Sequence, residues 1–135
     1  MYQGVNTIES GSLTLKNAEN SPICDAHAHI GDEAEIAARH AQRVHTALCG
    51  TDPENAKAVE ALCQKEPLFT AHYGLHPWKT ARYTVREMET WLARCRVIGE
   101  IGLDSVWCDV PAADQRAAFI RQLDHMLSMQ RRENA

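Results

Sequence analysis

The stretch Ile23-Cys24-Asp25-Ala26-His27-Ala28-His29-Ile30 decides how this chain is read, because it is strand and site at once. Pro22 punctuates the sequence before it and Gly31 ends it, which frames a buried β-strand. Side chains alternate along a strand, so Asp25, His27 and His29 are expected on one face, near its C-terminal end. Two imidazoles so placed can grip one metal, since histidine is a neutral nitrogen donor near pH 7 and a common ligand of divalent transition ions. A motif this short has a plain competitor, two unrelated histidines at a strand end.

Length and composition limit what the pair can belong to. The chain has 135 residues, suited to one domain, and 44% of them are hydrophobic, enough for a globular core. A net charge of -4 argues against a broad basic surface that wraps polyanions, while leaving room for a local positive site made by a bound cation. The five cysteines, Cys24, Cys49, Cys63, Cys95 and Cys108, are odd in number, widely spaced and without a CxxC pair. That argues for reduced, mostly buried thiols rather than a disulfide framework or a zinc knuckle. No apolar run reaches the length of a membrane span and the polar N-terminus lacks a signal-peptide core, so a cytoplasmic protein is expected.

Outward from the histidine strand, the sequence alternates. Residues 1–21 read as an N-terminal extension or a small hairpin around Glu9-Ser10-Gly11-Ser12. An Ala-rich helix is predicted over 33–42 and a second strand over 44–49. Thr51-Asp52-Pro53-Glu54 opens a helix that buries Ala56, Val59, Leu62 and Cys63, and Pro67 stops it before a third strand over 68–75. Thr84-Val85-Arg86-Glu87 fits a capping box, and the helix it opens buries Met88, Trp91, Leu92 and Cys95. A fourth strand is predicted over 97–103 and a last helix over 113–129, with Phe119, Ile120, Leu123, Met126 and Leu127 on its apolar face. Such alternation implies parallel strands and an α/β sheet or barrel, whose reactive groups gather at the strands' C-terminal ends. His27 and His29 end the first strand, His76 follows the third, and Glu100 and Asp104 lie at the end of the fourth.

Glu100 sits among apolar residues, where a carboxylate is costly without a partner. It reads as a metal ligand, with Gly99 and Gly102 leaving room for a close approach, or as an edge-strand glutamate facing water. His76, in Gly74-Leu75-His76-Pro77-Trp78, reads as a substrate contact or as a loop histidine packed on Trp78. His72 belongs to the third strand, and His40, His45 and His125 read as structural.

Taken together, Asp25-Ala26-His27-Ala28-His29, Tyr73-Gly74-Leu75-His76-Pro77-Trp78 and Gly99-Glu100-Ile101-Gly102-Leu103-Asp104, continuing into Gln115, Phe119, Gln122 and Leu123, resemble the TatD family of metal-dependent hydrolases. The resemblance covers nearly all of residues 22–125. It implies a (β/α)8 TIM-type barrel, a centre of one or two divalent ions (Mg, Mn or Zn), and phosphodiester cleavage of DNA or another phosphodiester substrate. It also implies that His27 and His29 hold one metal, that Glu100 is a ligand and catalytic group bridging to a second, and that His76 and Asp104 line the substrate pocket. Asp25 would support the ligands from behind. Residues 22–135 would then be a partial barrel of about four βα units, since a complete one needs about 200 residues or more. Ser105-Val106 replaces the aromatic pair often found after Leu-Asp in the family. Such a fragment is expected to have weak activity and to pair as a homodimer through exposed sheet edges. A noncatalytic remnant and an amide or lactone hydrolase are the alternatives.

Overall fold

The computed structural model describes residues 22–133, so the predicted extension or hairpin of residues 1–21 lies outside the described residues. Three strands, β1 (Cys24–Ala28), β2 (His45–Gly50) and β3 (Phe69–Tyr73), form one parallel sheet in the order β1-β2-β3. Helix α1 (Glu33–Ala41) connects the first pair and α2 (Pro53–Lys65) the second. A short 3-10 helix (Pro77–Lys79), α3 (Val85–Leu92) and the long α4 (Ala112–Glu133) follow. This is the alternating α/β order read from the sequence, and it sets the C-terminal ends of parallel strands side by side.

The core lies between β2, β3 and the helices α2 and α3. Leu48, Phe69 and Tyr73 of the sheet meet Ala56 and Val59 of α2, and Val85, Met88 and Leu92 of α3. Gly50 allows this closeness, because a Cβ there would lie 2.8 Å from both Ala56 Cα and Tyr73 Cδ1. The thiols divide, with Cys49 and Cys95 buried and Cys24 exposed.

β1 differs from the buried strand expected. Among its residues only Ala28 is buried, because β2 is its single partner among the described residues. Its alternation is also interrupted: Asp25 pairs with Thr46 but Ala28 with Leu48, a slip of one residue that sends neighbouring side chains to different partners.

The predicted fourth strand shrinks to one contact. Ile98 forms an isolated parallel bridge with Tyr73, whose carbonyl accepts the Gly99 N–H at 3.0 Å. Val97 and Leu103 are exposed, so the stretch has a neighbour on one side and nothing among the described residues to extend the ladder. It still lies where a fourth strand would begin, and it carries Glu100 to the rim.

α4 departs most from its predicted face. It begins at Ala112 and runs to Glu133, past the predicted stop at Met129. Ile120 and Leu127 are 49% and 52% exposed and Leu123 is exposed too, while Gln115 and Gln122 are buried. Backbone satisfaction decided this rather than apolar area: both carboxamides serve as partners for peptide groups that have no strand beside them. Gln122 Oε1 accepts the Leu75 N–H at 2.7 Å, and its Nε2 donates to the Leu75 carbonyl at 3.2 Å. Gln115 repeats the arrangement on Asp104, with Oε1 accepting its N–H at 2.8 Å and Nε2 donating to its carbonyl at 3.0 Å.

Asp52 shows how the helices are started. Its carboxylate caps α2 by accepting the Glu54 and Asn55 N–H groups at 3.1 and 3.0 Å, with Lys79 Nζ 3.2 Å away. Burial alone would raise the carboxyl's pKa, but the Asn55 N–H, the Lys79 ammonium and the Glu54 N–H outweigh it and hold the group below its ordinary 3.8. Asp52→Ala is therefore expected to lower stability by about 2 kcal/mol at pH 7, read from urea unfolding. The folded pKa is depressed, so the stabilisation is complete above the ordinary carboxylate value and is lost as pH falls through the folded one. Asp52→Asn should keep most of the cap and flatten that acid limb.

Candidate metal centre

Four side chains from three segments reach the same rim. His27 comes from the end of β1 and His29 from just beyond it, His76 from the residues after β3, and Glu100 from the stub beside Tyr73. The Nε2 atoms of His27 and His29 each lie 3.4 Å from one oxygen, Glu100 Oε2. The two rings meet edge to face with centroids 5.1 Å apart. Donor atoms of all three residues fall within 4.8 Å of one another.

The two 3.4 Å separations from Glu100 fit a shared cation. At 3.4 Å the imidazole nitrogens are too far from the carboxylate for good N–H···O hydrogen bonds. Donors bound tetrahedrally to one ion at about 2.1 Å stand ~3.4 Å apart, by simple geometry from typical zinc–nitrogen bond lengths. Two histidines and a carboxylate also form a donor set used in hydrolytic centres, one that keeps a coordination position open. All three side chains are open to solvent.

The surrounding residues orient the donors. Cys49 Sγ lies 3.4 Å from His27 Nδ1, so the ring's far nitrogen has a soft partner while Nε2 turns to Glu100. Burial first, and the Glu100 charge second, push the Cys49 thiol's pKa up. Nothing but its position in the β2 alternation marked Cys49 in the sequence, and it was not among the residues picked for the site.

Asp25 hydrogen-bonds no imidazole ring among the described residues. Its carboxylate takes Arg39 Nη1 at 2.7 Å and the His27 backbone N–H at 3.2 Å, and these two, Arg39 foremost, hold its pKa below the ordinary value. It braces the backbone of the motif rather than a ligand ring.

For His76 the structure gives the packing on Trp78 and also turns the ring toward Glu100. Its ring packs edge to face on Trp78, centroids 5.3 Å apart, and its Nε2 faces Glu100 Oε1 at 3.6 Å. Nδ1 accepts the Trp78 N–H at 3.2 Å, which leaves the ring proton on Nε2. Burial lowers its pKa against the opposing pull of Glu100. Asp104 is engaged with the loop: its carboxylate accepts the Trp78 indole N–H at 2.6 Å and the Val106 and Trp107 N–H groups at 2.8 and 2.9 Å. Those donors, the Trp107 N–H first, hold its carboxyl pKa down.

The glycines that make room are not those picked from the sequence. A Cβ at Gly99 or Gly102 would meet nothing within 4 Å among the described residues. At Gly74 it would lie 2.7 Å from the Glu100 carbonyl oxygen and 2.7 Å from Ile101 Cγ2. Gly74 is what lets the Glu100 backbone lie against the end of β3.

A parallel α/β sheet with two histidines and a glutamate converging at the ends of its strands defines an α/β protein with a candidate cation site of hydrolytic type. A family model described as TatD related DNase matches residues 24–130, and the chain belongs to that family. The family is metal-dependent, and His27, His29 and Glu100 make up a group that could hold an ion among the described residues. A search of curated proteins returns no match. No described helix is long and apolar enough to cross a membrane.

Proposed function

We propose that this chain is a metal-dependent phosphodiesterase of the nuclease type, with its parallel sheet forming part of a (β/α)8 barrel. The observation that carries the reading is the convergence of His27 Nε2 and His29 Nε2 on one Glu100 oxygen, each at 3.4 Å. Membership of the TatD related DNase family supports it and favours a nucleic-acid substrate. His27, His29 and Glu100 would hold a divalent ion such as Mg²⁺, Mn²⁺ or Zn²⁺. That ion supplies Lewis acidity toward the phosphoryl group and brings a water into the range where it can attack near neutral pH.

The chain's own residues perform the remaining tasks. Cys49 and the Asp25–Arg39 pair fix the histidine segment. Glu100, whose Oε1 faces His76 at 3.6 Å, would also contribute to holding a second cation if the centre takes two. His76 presents its Nε2–H toward the reacting group, and Asp104 acts one step away by holding the loop that borders the site. The exposed apolar side chains of α4, and the edge of β1 that has no neighbour among the described residues, support self-association of two copies, which light scattering would read as twice the chain mass.

The test is hydrolysis of a single-stranded oligonucleotide in Mg²⁺ or Mn²⁺. Activity is expected to require the ion and to disappear in His27→Ala and Glu100→Ala. Ion binding without turnover would leave a noncatalytic binding protein, and activity confined to amides or lactones would overturn the phosphodiester reading.

A further inference from the structure

The chain has three tryptophans, and two of them are held in water. Trp91 is half-buried against the core, with its indole N–H directed to Glu60 at 3.3 Å. Trp78 and Trp107 are 51% and 81% exposed. They flank an open cleft of about 390 Å³ whose other walls include Ala81, Val110 and Pro111.

Asp104 anchors the Trp78 ring and the backbone that carries Trp107. Asp104 accepts the ring N–H of Trp78 with one oxygen, and the backbone N–H groups of Val106 and Trp107 with the other. The buried Gln115 in turn pins the Asp104 peptide at both its N–H and its carbonyl. Large exposed aromatic faces are unfavourable in water, and a network that anchors one of them, and the backbone bearing the other, beside an open cleft points to a planar ligand. The cleft also adjoins the candidate metal centre, because Trp78 packs on His76 and His76 faces Glu100.

We propose that Trp78 and Trp107 form a base-binding cleft, which stacks a nucleobase of the strand whose phosphodiester lies at His27, His29 and Glu100. This rests on the phosphodiesterase reading of the same site. The lining carries Asp109 and no lysine or arginine, so it suits an uncharged planar group and repels phosphate. A nucleobase meets both requirements, and every base offers a π face to an indole. The phosphate would be drawn to the cation and the base to the cleft beside it, a division of labour that an acidic protein needs.

The test uses the full chain in EDTA, so that nothing is cleaved, and titrates a short oligothymidylate against an abasic oligomer of equal length and charge. Tryptophan emission reports binding, and Mn²⁺ affinity is measured separately by calorimetry. The base-bearing strand is expected to bind about tenfold more tightly and to quench the emission, as loss of one stacked base predicts. Trp107→Ala should abolish that preference, Trp107→Phe should keep most of it, and both should bind Mn²⁺ like the parent chain. Equal binding of the two oligomers, no binding of either, or a preference that survives Trp107→Ala would overturn the proposal. So would light scattering in which Trp107→Ala dissociates a dimer, since the cleft would then be covered by a second copy. The two readings fail separately: base preference without Mn²⁺ binding removes the metal centre and keeps the cleft, and the reverse removes the cleft alone.

Discussion

Gln122→Leu is expected to destabilise the protein by about 3 kcal/mol, although the change lies on a helix and replaces a polar side chain by an apolar one of similar size. Gln122 is 1% exposed, and its carboxamide is the partner of both backbone groups of the equally buried Leu75. Leucine fills the volume but can neither accept the Leu75 N–H nor donate to its carbonyl. Each stranded group costs about 1–3 kcal/mol in such surroundings, and the extra apolar burial offsets only part of the total. Urea unfolding should show a lower midpoint at unchanged slope. A shift below about 0.5 kcal/mol, the range for an ordinary surface position, would mean that the Leu75 peptide finds other partners. Because Leu75 precedes His76, the same variant should also loosen the residue that faces Glu100.

The second large effect is expected at Gly74. Alanine there would place its Cβ 2.7 Å from the Glu100 carbonyl oxygen and 3.1 Å from the Glu100 carbonyl carbon. These are backbone atoms, which cannot swing aside as a side-chain tip would. The Tyr73–Ile98 bridge and the Gly99 N–H bond to Tyr73 hold the two segments together, so the clash must be relieved by moving Glu100 outward. Gly74→Ala should therefore cost about 1–3 kcal/mol of stability, as overpacking does. In the proposed hydrolysis it should also lower turnover by about 100-fold, since a displacement near 1 Å is enough to uncouple positioned groups. Calorimetry would show Mn²⁺ affinity falling in parallel, and wild-type affinity would place the relief elsewhere.

Much of this architecture is legible in the residues themselves. The Asp52-Pro53 cap, the Thr84 and Glu87 pairing and the apolar faces of α2 and α3 depend on neighbours three or four positions away, and they lie where local pattern puts them. The convergence of His27, His29 and Glu100 follows from parallel topology, which gathers strand ends. Features that depend on distant partners are less visible. Periodicity assigned the inward face of α4 to Ile120, Leu123 and Leu127, but periodicity counts only apolar area and cannot see an unpaired peptide at Leu75 or Asp104 that needs an amide. Gly99 and Gly102 drew attention by flanking Glu100, whereas Gly74, 26 positions before it, meets its backbone. The one-residue slip in β1 likewise separated Asp25 from the face it was expected to share with His27.

The helix that leaves the histidine motif has an unusual attachment. α1 has no fully buried side chain; Ile36 is its half-buried link to the core, and Arg39, paired with Glu35 within the helix, joins it to Asp25 and Thr46. An element secured mainly by charge answers to ionic strength more than to temperature, because mobile ions weaken partly exposed ion pairs while leaving apolar contacts intact. Salt thus offers a way to slacken the segment carrying His27 and His29 while β2, β3 and α2 stay closed, making the affinity of the site adjustable without unfolding the molecule.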